Sequence, residues 1–134
     1  MANFTPYRIY TYVRNKILAV YPDMYVTWGE EPIPPEGVAV QVREIDHYRL
    51  LRGLTLEDLG DMWRVAFEVN VYSNRFTGAP DEAYEIMRVA EDAFEKMFFV
   101  ESECIPLKRA NNRVTRIAAR FERNIGQGEL MPED

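Results

Sequence analysis

The sequence has a single cysteine, Cys104, and a single histidine, His47. One thiol forbids an intramolecular disulfide. No Cys/His cluster exists that could hold zinc. A Ser-His-Asp or Cys-His arrangement would have to be built on His47, and neither Ser73 nor Cys104 stands in a nucleophile motif. Cys104 lies in VESECIPL beside apolar residues, which predicts a buried, inert thiol. A phosphate loop is missing too: RFTGAPDE has one glycine and no following Gly-Lys-Thr/Ser. Long apolar runs are absent. The N-terminal MANFTPYRIYTYVRNKILAVY is broken by Arg8, Arg14 and Lys16, so it offers neither a secretion core nor the roughly 20 apolar residues of a membrane span. The expectation is a chain with no membrane association, made in a cytoplasm or assembled there into something larger.

Positive charge is in deficit. Sixteen Lys and Arg face 22 Asp and Glu, a net charge of −6. That balance argues against bulk affinity for nucleic acid or an anionic membrane. The cations that exist are concentrated late in the chain: Lys108, Arg109, Arg113, Arg116, Arg120 and Arg123, with only Glu122 opposing them. Two readings are open. Arg116, Arg120 and Arg123 are the solvated face of a strand, or Arg113, Arg116 and Arg120 form an anion or partner site. The acidic pairs Glu30-Glu31, Glu57-Asp58 and Glu101/Glu103 lack ligand spacing and read as solvated edges.

The patterning that is present defines elements. At 134 residues the chain suits one domain of ordinary size. Thr5-Pro6 reads as cap and first residue of a helix to about Tyr21, with Ile9, Val13, Ile17 and Val20 as its stripe. Met24–Glu31 is a short strand, PIPPEG a stiff turn, and Val38–Arg43 a second strand paired antiparallel to the first. From Val65 to Val71 every second residue is apolar, so Ala66, Glu68 and Asn70 fall on a wetted face. Ala83, Met87, Ala90, Phe94 and Met97 then recur at helical spacing. Phe98–Leu107 holds a short edge strand interrupted at Pro106. Thr115, Ile117, Ala119 and Phe121 make the last strand, and Gln127–Asp134 reads as a tail without core formers. The expected fold is α+β: one mostly antiparallel or mixed sheet of four to five strands with two helices on one face. Its expected core is Val13, Ile17, Val40, Val65, Phe67, Val69, Met87, Ala90, Phe94, Ile117 and Phe121. The crossover through the second helix allows one parallel pairing.

Residues 46–62 are expected to form a long loop. Leu50 and Leu51 stand just before Gly53, and Leu54, Leu56 and Leu59 stand between Gly53 and Gly60, with a helical turn starting at Thr55. This is too leucine-rich for a solvated connection, so the leucines fold onto the core or meet a partner.

Across residues 5–126 the chain resembles the tail terminators of tailed phages, also called tail-to-head joining or tail completion proteins. The resemblance is carried by the N-terminal helix running into YPDMYVTWGEEPIPPEGVAVQV, and by WRVAFEVNVYSN with DEAYEIMRVAEDAFEKM. It implies a virion protein assembled in the bacterial cytoplasm. Such a protein forms a ring, usually hexameric, on the head-proximal end of the tail tube. The ring stops tube polymerisation and joins the tail to the head. The implied partners are other copies of the chain, the tube protein and a head-tail connector. DNA passes through without specific binding, and neither cofactor nor reaction is implied. A neck or tube-like component of the same particle, and a small enzyme built around His47, are the alternatives.

Overall fold

The computed structural model describes residues 4–29, 38–49, 62–73, 79–108, 115–126 and 129–132. Helix α1 (Pro6–Val20) starts where the Thr5 hydroxyl accepts a hydrogen bond from the Arg8 N–H at 3.4 Å, and Pro6 supplies a preset first turn. It stops before Pro22, with the Tyr21 N–H donating to the Ile17 carbonyl. Ile9, Val13 and Ile17 are buried, as are Tyr10 and Tyr12. Val20, expected on the same stripe, is 56% exposed.

Five strands form one mixed sheet in the order β1-β2-β3-β5-β4. They are β1 (Tyr25–Trp28), β2 (Val38–Arg49), β3 (Met62–Ser73), β4 (Val100–Lys108) and β5 (Thr115–Gly126). Helix α2 (Ala79–Lys96) joins β3 to β4. Both helices pack with one face of the sheet in a single apolar core. All eleven expected core residues are buried there. Phe67 lies at the centre of a run of rings, touching Trp28, Phe94 and Phe99, while Phe94 stacks on Phe121 at 4.3 Å.

Several expectations are corrected. β1 pairs with β2 in parallel, with Tyr25 opposite Ala39 and Trp28 opposite Val42. The parallel pairing thus lies at this edge, and β3, β5 and β4 pair antiparallel. β2 continues to Arg49 through a bulge between Glu44 and Asp46, and β3 begins at Met62, so both ends of the expected 46–62 loop are strand. Leu50, Leu51, Leu54, Leu56, Leu59 and the turn at Thr55 lie outside the described residues. β4 runs through Pro106 without interruption, which an edge strand tolerates because its outward side needs no donor. Met131, in the segment read as lacking core formers, is buried against the core.

α2 carries Asp81 and Glu82 in its first turn and Lys96 in its last, each matched to the helix dipole. Its C-terminus closes with two bonds: Phe99 N–H to Phe94 carbonyl and Phe98 N–H to Glu95 carbonyl, both 2.9 Å. This motif places its penultimate residue in the left-handed region, normally glycine. Here it is Phe98, at φ 63°.

Candidate functional site

No helix among the described residues covers the opposite sheet face, and polar side chains gather there. Register builds the site. Glu68 on β3 faces Arg43 across the β2 pairing and Arg120 across the β5 pairing, and Arg120 faces Glu103 on β4. The four residues form a row of alternating charge across four strands. Arg43 donates from Nε and Nη2 to Glu68 Oε1 at 3.1 and 2.8 Å. Arg120 Nε lies 3.4 Å from both Glu68 Oε2 and Glu103 Oε1. Asn70 donates to Glu68 at 3.0 Å and accepts from Arg116 Nε at 2.8 Å. Arg116 lies over the Tyr72 ring, with Nη2 3.9 Å from Glu68. Alongside, Arg64 binds Glu122 at 2.6 Å and Asn124 at 3.1 Å.

Glu68 and Asn70 are 4% and 0% exposed, so the face expected to be wetted is buried at its centre. Burial pushes the Glu68 carboxyl up. The hydrogen bonds from Asn70 and Arg43, with the charges of Arg43 and Arg120, outweigh it and hold the group below its ordinary range. Glu68 is therefore a fixed anion that organises three guanidiniums. Thr27, on the same face, buries a hydroxyl with no hydrogen-bond partner among the described residues.

The residues singled out from sequence separate. Arg116 and Arg120 come together around Glu68, while Arg113 lies outside the described residues. Arg123 leaves the group: it sits opposite Val65 on the helix-bearing side. It donates to the Met97 carbonyl at 3.1 Å, pairs with Glu129 and lies over the Phe4 and Phe98 rings. Arg43 and Glu68 were missed by sequence reasoning. A charged residue in the middle of a strongly apolar strand was the available signal for Glu68.

A second cluster lies between α2 and β4. One ligand-type atom each from Glu91, Glu101 and Cys104 fall within 4.8 Å of one another. Burial, a hydrogen bond with Glu91 and the charge of Glu91 push Glu101 up to about 7. Burial, then the charges of Glu101 and Glu91, push the Cys104 thiol up to about 11, which leaves little thiolate at neutral pH. His47 is exposed, with Nδ1 3.1 Å from Glu44 and its ring edge-on to Trp63 at 5.1 Å. An open cleft of about 360 Å³ lies at the C-terminal end of α1, with Asp23 and Glu82 on its walls. No helix among the described residues is long and apolar enough to cross a membrane.

A scan against protein-family models finds no match, and a search of curated proteins finds none.

Proposed function

We propose that this chain is a structural protein of a tailed-phage particle that caps the head-proximal end of the tail tube, stops its polymerisation and joins tail to head. The observation that carries the reading is the resemblance over residues 5–126, from the N-terminal helix through WRVAFEVNVYSN and DEAYEIMRVAEDAFEKM to the Arg-alternating last strand. A sheet face that no helix among the described residues covers supports it, because such a surface suits contacts between ring neighbours. In this reading the chain meets other copies of itself, the tube protein and a head-side connector. It works without a cofactor and catalyses nothing, and DNA crosses the ring.

Electron microscopy of particles lacking the protein tests the reading. Overlong tails are the expected result. Normal tails that never join DNA-filled heads would instead assign the chain to the neck. Tube subunits that fail to polymerise at all would make it a tube-like component. Any turnover abolished by His47→Ala would replace the structural reading with an enzymatic one.

A further inference from the structure

The three guanidiniums around Glu68 hold more donors than the described residues use. Each carries about five N–H groups. Among the described residues Arg43 commits Nε and Nη2 to Glu68, and Arg116 commits Nε to Asn70. Among the same residues Arg120 has ion pairs and no side-chain hydrogen bond, and it is the most open of the three, its side chain 47% exposed. Among the described residues the charges do not cancel either: Arg43, Arg116 and Arg120 face Glu68 and Glu103, which leaves one positive charge in excess.

We propose that Arg43, Arg116 and Arg120 form a binding site for a phosphate-class oxyanion on the sheet face opposite α1 and α2, with Glu68 as the buried residue that positions them. Glu68 already fills the carboxylate place between the guanidiniums, from within the sheet. A further anion has to come from the solvent side and meet donors reaching in from β2 on one flank and β5 on the other. A tetrahedral group with several acceptor oxygens suits that arrangement better than a second planar carboxylate. The guanidiniums are fixed before the anion arrives, so little side-chain entropy is lost on binding. The molecule as a whole is acidic, so the attraction is local and short in range. The proposal does not rest on the tail-terminator reading.

The Nε–Hε resonances of the arginines, followed in labelled protein during a titration with inorganic phosphate at constant ionic strength, test it. Saturable shifts are expected at Arg43, Arg116 and Arg120 and not at the exposed Arg88 on α2. Arg120→Gln should weaken binding at least tenfold with an unchanged amide spectrum, and Arg116→Gln serves if that variant does not fold. Shifts no larger than a chloride control gives, or equal shifts at Arg88, would overturn the proposal and leave the cluster a purely internal network. A short single-stranded oligonucleotide that competes for the same resonances would identify the source as a polynucleotide backbone. Phosphate binding without that competition would identify free phosphate.

Discussion

Glu68 gives up hydration and recovers it as hydrogen bonds from Arg43 and Asn70 and the nearby charge of Arg120. Glu68→Gln keeps the shape and removes the charge. It should cost about 1.5–3 kcal/mol in chemical denaturation at pH 7, the range for hydrogen bonds to charged groups. The folded carboxyl titrates below its ordinary value near 4.5. Its contribution is therefore complete above that value and is lost as pH falls through the folded pKa. Once pH has fallen below the folded pKa, the variant and the wild type should converge. Glu101 has the opposite sign. Its folded carboxyl is raised to about 7, so its contribution is complete below about 4.5 and is lost as pH rises toward 7 and beyond. Glu101→Gln should melt higher than wild type at pH 8, and the gap should close by pH 5. An equal gap at both pH values would show that Glu91 and Glu101 do not share a proton. Glu68 also shows where reading a strand by itself stops. Alternation assigns a residue to a face, but whether that face is wet depends on what neighbouring strands put beside it. Arg43 and Arg120 lie 25 and 52 positions away in the chain, and only register brings them to Glu68.

Among the elements, α2 was the most legible. Its apolar stripe, its acidic first turn and its length all follow from the sequence. Its C-terminus was not, because the motif there calls for glycine and finds Phe98. A left-handed conformation costs a residue with a Cβ about 1–2 kcal/mol. Phe98 is 75% exposed, and its ring contact among the described residues is with Arg123 at 5.8 Å. Phe98→Gly should therefore raise the melting temperature, with Phe98→Ala, which keeps the strain and loses the ring, at or below wild type. A fall on substitution by glycine would show that the Arg123 contact outweighs the backbone cost. The first pairing was misread for a different reason. Prolines after a short strand suggest a tight reversal, but PIPPEG also suits a longer return, and composition alone does not choose between them. β3 and β5, by contrast, were found because a strand with apolar residues on one face and polar residues on the other keeps period two whichever neighbour it pairs with. The fate of the leucines between Gly53 and Gly60 was never readable from periodicity, since core packing and partner binding require the same side chains.

At the scale of the whole molecule, the charge of −6 makes identical subunits repel one another. In the proposed reading the free protein is monomeric and closes into a ring on the tube end, which supplies part of the binding surface. Ring formation should rise with protein concentration and with ionic strength, since salt screens charges beyond about 8–10 Å. Sedimentation velocity across both variables measures this. A stable hexamer at low micromolar concentration and low salt would end the templated-assembly idea without touching the terminator reading. The strand order carries a further consequence, one of timing. β5 lies between β3 and β4, the two strands that α2 connects. During synthesis from the N-terminus, β3 and β4 leave the ribosome before the strand that separates them exists. They have to be held apart by α2, or parted again, until residues 115–126 emerge. A chain stopped between β4 and β5 would lose the strand that joins β4 to the rest of the sheet, and the row from Arg43 to Glu103 would lack Arg120, which links Glu68 to Glu103.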